Sequence, residues 1–423
     1  MNKVEVFFYD LVKANPRLKV QIRNVYQRLF DLVPAKRMAT AYEIEARRGF
    51  FFGFHDKCPW SVDDKCLLAH RVTAPFRMPR PDDEIEVGFF SGEKFREYTR
   101  TGSTRAWNWH MGAMLQWVGH SDRMLYNDFD GQRLLARIVD QDGRPAGELP
   151  APVAALSSDG AKALSYDFPR LQNTPHKYGY ANGTNPEADQ LVPSSHGIHI
   201  MDVNSGTMQL LFSVADIRAI QPEPSMEGSF HYFSHCQFAP SGGRFAFYHR
   251  WRLDNEKVFT RLISSDLDGN HLHVFPTSGM VSHYGWRGDT HVLAYAKVQP
   301  HGDGYYLFED RSGGIQPVGR ELFTSDGHPS FAPDHRRFIT DTYPDRYRVR
   351  LLVLYDMERD KRYVLSRIYS PPAYRDGLRC DLHPRWSRGG TMICFDSAHT
   401  GERTLCTVNL EDDLSGSGEP CSL

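Results

Sequence analysis

The sequence predicts an all-β fold, a seven-bladed β-propeller with a short amino-terminal helical extension. Two observations carry this. A hairpin unit recurs seven times, and helical periodicity gives way to short alternating strands from about residue 50 onward. The expected boundaries are 1–40 for the extension and 41–415 for the propeller.

The repeated unit reads as an aromatic or apolar anchor, a polar turn, then an apolar-rich strand. Its copies include PWSVDDKCLLAHR (59–71), QWVGHSDRMLYND (116–128), QFAPSGGRFAFYHR (237–250) and RWSRGGTMICFDS (385–397). The anchors are Trp60, Trp117, Leu156, Phe238, Trp286, Phe331 and Trp386. Each copy describes a hairpin whose first strand ends at the anchor. Several copies run on into a second hairpin, such as LLVLYDMERDKRYVL (351–365). Two hairpins make a four-stranded blade, which can bury its faces only by stacking against others around an axis. Residues 168–196, rich in Pro, Asn and Gly, interrupt blade three and are expected to form a binding loop or lid.

Upstream of the repeats, Val4, Phe7, Leu11, Leu18, Ile22, Val25, Leu29 and Leu32 recur at helical spacing. Pro16 divides them into two helices. They suit a cap on the propeller, or a peripheral contact with a membrane or protein.

Composition narrows the function classes. Fifty basic residues face 52 acidic ones, so bulk charge supplies no argument for a nucleic-acid partner. The seven cysteines form no CxxC pair, which argues against a disulfide framework or zinc knuckle. The amino terminus does not read as a signal peptide, and no apolar run is long enough to span a bilayer. A cytoplasmic protein with reduced thiols is expected. No G-x-S-x-G or G-x-G-x-x-G motif sits in a suitable context.

Aligning the copies on their anchors exposes a second regularity. The residues three positions upstream are Lys57, Met114, Val153, His235, His283, His328 and His383. Equivalent positions on innermost strands converge on the axis. Four imidazoles from consecutive blades should therefore face one small volume, suited to a divalent transition metal. Asp381 shares a strand face with His383 and could add an oxygen ligand. The metal candidates are His283, His328, His383 and Asp381.

About ten residues beyond the anchors lies a second ring: His70, Asn127, Tyr166, His249, Asp341 and Asp396, flanked by Arg71 and Arg250. Such positions commonly stitch blades together. Arg250 is the exception singled out, since a guanidinium beside imidazoles can hold a carboxylate. In the FHDKCPW segment, Lys57 and His55 could bind an acidic group.

These residues suit β-elimination on a uronate, where a base removes the C5 proton beside a neutralised carboxylate. The segments HCQFAP (235–240), YHRW (248–251), SHYGW (282–286) and HPRWSRGGTMICFDSAHTGERTLCTVNL (383–410) resemble those of oligogalacturonate lyases, polysaccharide lyase family 22. Their turns are also similar to those of TolB-like propellers. The lyase resemblance implies a manganese-type cation, His235 as general base, and His283 and His383 as metal ligands. It implies an acidic oligosaccharide as substrate; the candidate contacts, read from the residues themselves, are Lys57, His55, Gln237, His249, Arg71 and Arg385, with Arg250 beside the base, and the segment 52–60 has no match in that family. That family carries a His-Pro-His-Pro run where this chain has Asp381-Leu382-His383-Pro384. Two alternatives remain open: an epimerase or transferase of polysaccharide biosynthesis, and a non-catalytic protein-binding propeller.

Overall fold

The computed structural model describes residues 22, 25–30, 38–185, 187–414 and 420–423. Strands form seven antiparallel sheets, one per predicted repeat. Blade four is the fullest example of the pattern. It runs Phe230–Phe238, Arg244–Arg252, Val258–Asp266 and His273–Val274, from the axis outward. The first hairpin turns directly after the anchor Phe238, as the spacing predicts. In blade one the innermost strand is interrupted. Phe50–Phe51 pairs with His70 and Arg71, and Trp60 rejoins the sheet opposite Leu67.

Ring closure was not visible in the repeats. The outer strand of blade seven comes from the other end of the chain: Glu45–Arg48 pairs with Thr404–Thr407. Ala39–Thr40, assigned from sequence to the helical extension, is instead a fifth strand on blade six. The unpaired edge of Lys361–Tyr369 supplies the hydrogen bonds that draw it in. Helix survives at 25–30, and most of the expected extension lies outside the described residues. Gln27 of this helix donates to the Asp345 carbonyl at 3.1 Å, and Phe30 packs edge-on against Tyr347.

The second ring divides by chemistry. Four members stitch their blade to the next innermost segment. His70 Nε2 accepts from Ala113 N, and Asn127 Oδ1 accepts from Val153 N. Asp341 accepts from the backbone of Leu382 and His383, and Asp396 from Phe52 and Gly53. Each satisfies an amide that the innermost strand turns away from its own sheet.

The insertion within blade three, between Lys162–Ser165 and Gly197–Asp202, folds back over one mouth. Asp167 caps the helix Phe168–Gln172 by accepting from Arg170 N, and Pro169 fits its first turn. The Arg170 guanidinium then pins the insertion by donating to carbonyls of His231, Gln190 and Leu191. Gly179 lies so close to the Phe168 carbonyl that any Cβ would collide with it.

Candidate active site at the axis

The innermost strands deliver their histidines through local irregularities. His235 sits in a bulge between Ser234 and Gln237 with φ +57°, and His283 in one between Val281 and Tyr284. His383, with φ +44°, precedes its short strand. A bulge re-aims a side chain that a regular pleat would bury between blades.

The imidazoles converge as the register predicts. Ring centroids of His283 and His328 are 3.9 Å apart, and those of His328 and His383 are 4.3 Å apart. His235 joins them through Phe54, a residue the sequence reading overlooked. The Phe54 ring lies 4.7 Å from His235, 6.0 Å from His283, 5.9 Å from His328 and 4.8 Å from His383. His55 follows it, 5.4 Å from His328. The interrupted strand of blade one thus places a phenyl ring and a fifth imidazole at the hub, and the pair fills the axis. Gly53 makes this path possible: its φ is +125°, and a Cβ there would meet the Met111 backbone.

Three imidazoles are held by one ring nitrogen each. His328 Nδ1 donates to Asp341 Oδ1 at 2.7 Å, His283 Nδ1 to Asp326 Oδ1 at 3.1 Å, and His383 Nδ1 to the Gly53 carbonyl at 2.8 Å. These bonds fix the tautomer and leave Nε2 as the lone-pair nitrogen of each ring, the arrangement found behind metal-bound histidines. Donor atoms of His328, Asp381 and His383 all lie within 4.8 Å of one another. His283 stands beside this trio rather than within it. Two imidazoles and a carboxylate fit a divalent transition ion, and suit manganese, iron and zinc alike. Asp381 is also the acceptor of Arg350, at 2.6 Å, and of Arg379, at 2.7 Å. Burial pushes its carboxyl up, but Arg379 and then Arg350 outweigh that and hold it well below the usual carboxylate range. Burial, reinforced by His328, keeps His383 neutral, with its pKa well below 6.5.

The remaining predicted residues separate into two mouths. Arg250 pairs with Tyr232, three residues before His235, whereas Gln237 and the anchor Phe238 lie at the other end of the same strand. On the Arg250 side, Tyr178 from the insertion lies 5.5 Å from His235, and Tyr343 lies 6.0 Å from His328. Arg379 stacks over Tyr343 at 5.0 Å. Arg250 is buried, rests 4.8 Å above the Tyr248 ring beside Tyr232, and forms no ion pair among the described residues; its Nε is enclosed without a hydrogen-bond partner. His235 Nδ1 is likewise buried without a partner. Burial first, and Arg250 second, depress the His235 pKa well below 6.5. On the opposite side, Gln237, His55, Lys57 and Arg385 surround a separate cavity.

Several candidate contacts take other roles. His249 is not at a mouth: it is fully buried, accepts from Arg261 at 3.0 Å, and hydrogen-bonds His231 at 2.8 Å. Its ring is spent inside blade four. Arg71 is exposed and paired with Glu86. The buried Arg385 guanidinium is held by Asp396 at 3.0 Å and the Gly53 carbonyl at 2.9 Å, so it secures the plug. Lys57, predicted to face the axis, is paired with Asp56 at 2.7 Å. The residues missed from sequence are Phe54, Tyr178, Asp326, Tyr343, Arg350 and Arg379. Asp326 and Arg379 carry a faint signal, each lying within four residues of a ring histidine.

Among the described residues no helix is long and apolar enough to cross a membrane. No protein-family model and no curated protein matches the sequence. Among solved structures, the chain is similar to an oligogalacturonate lyase from Vibrio parahaemolyticus. The two are 12% identical with a TM-score of 0.59 over 89% of this chain and 98% of that one. TolB from Acinetobacter baumannii aligns at 12% identity and TM-score 0.39, covering 78% of each chain. Hydrazine synthase from Kuenenia stuttgartiensis aligns at 10% and 0.45, covering 78% of this chain and 95% of that one. The first of these likenesses, spanning nearly the whole propeller, is one of fold: this chain is a seven-bladed β-propeller built like the Vibrio lyase.

Proposed function

We propose that the Arg250 mouth is the active site of a lyase that cleaves an acidic, uronate-containing oligosaccharide by β-elimination. One observation carries the reading. A buried guanidinium with no acidic partner among the described residues stands beside an imidazole whose Nδ1 is unpaired, over three further imidazoles held by their Nδ1 atoms. An uncompensated buried charge is costly, and a substrate carboxylate would relieve it. The fold likeness to an oligogalacturonate lyase supports the same chemistry.

In this reading Arg250 binds the uronate carboxylate, and Tyr178 and Tyr343 flank the sugar. His235, neutral because it is buried beside Arg250, takes the C5 proton. The C5–H electron pair becomes the C4=C5 double bond. The C4–O bond breaks, and its oxygen leaves with a proton from solvent. A divalent cation held by His328, His383 and Asp381, with His283 alongside, would supply electrostatic stabilisation of the carboxylate as charge develops on it.

The test is incubation of the full-length chain with a panel of oligouronides, with and without added divalent metal. The expected product is an unsaturated uronate, read by its ultraviolet absorbance. Absence of product across the panel with metal present overturns the proposal. Solvent deuterium entering C5 without a double bond would transfer the same residues to epimerisation.

A further inference from the structure

We propose that the opposite mouth, on the hairpin face, is a second and separate binding site, for a neutral hydroxylated ligand of monosaccharide size. The cavity there has a volume of about 260 Å3 and is lined by His55, Asp56, Lys57, Gln237, Trp286 and Trp386, among others. Its floor is His55. Neither Phe54 nor any of the hub imidazoles His235, His283, His328 and His383 lines it, although His335 from the blade-six turn does. It is therefore a blind funnel, closed from the Arg250 mouth by the plug that fills the axis.

Its polar groups define the ligand. His55 Nε2 donates to the Tyr284 carbonyl at 3.1 Å, which leaves Nδ1 as an acceptor, and that atom is buried without a partner. Asp56 Oδ1 and Gln237 Oε1 are buried and unpartnered as well. The ring of His55 is 4% exposed, and the side chains of Asp56 and Lys57 are 8% exposed. Buried polar atoms in native proteins are nearly always satisfied, so three orphaned acceptors on residues that line one cavity ask for a donor-rich occupant. An anion would face acceptors and find Lys57 already matched by Asp56, Arg385 by Asp396, and Arg388 donating to the Trp60 carbonyl. A cation would meet the Lys57 ammonium. Hydroxyl groups answer both, donating to the three acceptors while accepting from the spare Lys57 protons. The indole edges of Trp286 and Trp386 add apolar walls of the kind that small-ligand pockets use. A cavity this size holds about a dozen heavy atoms, the content of one sugar ring.

The experiment is a titration of the full-length chain with neutral monosaccharides and cyclic polyols, read by ligand-observed NMR, alongside a free uronic acid. Neutral ligands are expected to bind saturably. Gln237→Leu removes one acceptor, and Ser330→Tyr fills the rim without touching a buried polar atom; each is expected to weaken binding at least tenfold. Arg250→Met is expected to leave it unchanged. If one of the two cavity variants fails to fold, the other decides. The proposal is overturned if no neutral ligand saturates the protein, or if binding follows Arg250 and ignores Gln237 and Ser330. Neither result bears on the lyase reading, which is judged by turnover of acidic substrates.

Discussion

Asp341 grips His328 twice, accepting from its backbone N–H at 2.9 Å and from its ring Nδ1 at 2.7 Å through the same oxygen. Its other oxygen accepts from the backbone of His383 in the next blade, at 3.3 Å. Burial raises the Asp341 carboxyl, but the attraction of His328 and their hydrogen bond more than offset this and hold it low. One carboxylate thus positions two imidazoles of the trio. Asp341→Asn keeps the shape but loses the charge that fixes the His328 tautomer. The expected result is a 10- to 100-fold loss of metal affinity or activity (about the range for such outer partners), with a largely preserved fold. Calorimetric metal titration alongside thermal melting checks both halves.

Arg250 should behave differently. Because it has no acidic partner among the described residues, Arg250→Met removes a buried charge and loses no ion pair. Stability should hold or rise by about 1 kcal/mol, while turnover of a uronide falls by about two orders of magnitude or more. Paired denaturation and kinetic measurements test this. A clear loss of stability would show that the guanidinium serves the fold.

Phe54→Ala empties the hub. Burial of Phe54 among imidazoles from four blades places the cost at about 3–5 kcal/mol, as for other phenylalanines removed from cores. Denaturant unfolding gives the value, and a change under 1 kcal/mol would mean that the plug is not packed as described.

The stitching ring predicts a pH dependence. His70 is fully buried, accepts from Ala113 N, and has its pKa lowered by burial from 6.5 to about 3. Between those values the unfolded chain binds a proton that the folded chain refuses. Stability is therefore complete above about pH 6.5 and falls as the pH drops towards 3. By pH 5 this single group costs about 2 kcal/mol. Asparagine does the same work at position 127 in blade two, so His70→Asn should fold and lose about one proton from the acid-side slope. Melting curves from pH 7 to pH 5 measure that slope.

The sequence exposed what repeats. Anchors, hairpins and the histidine register recur in several blades, and the structure places them as the spacing implies. Features that occur once were hidden. Lys57 aligns with the histidines by count, but the strand carrying it breaks between Phe51 and Trp60. That path delivers Phe54 and His55 to the axis and leaves Lys57 on the far side. His249 looked like a site residue by its place in the second ring, yet its side chain points to the opposite face from that of its neighbour Arg250. Arg350 and Arg379 escaped notice because nothing local shows that they meet Asp381. The closing strand Glu45–Arg48 lacks any repeat signature because its partners lie at the other end of the chain.

That closure gives the histidine cluster a temporal order. His383 is oriented by the Gly53 carbonyl, and Asp396 holds the Phe52 and Gly53 amides, so the first and last blades must meet before the imidazole is aimed. A chain still being synthesised, with blade seven inside the ribosome, has no partner for the plug and no finished centre. The histidine cluster is complete only once the two ends of the chain have met in blade seven.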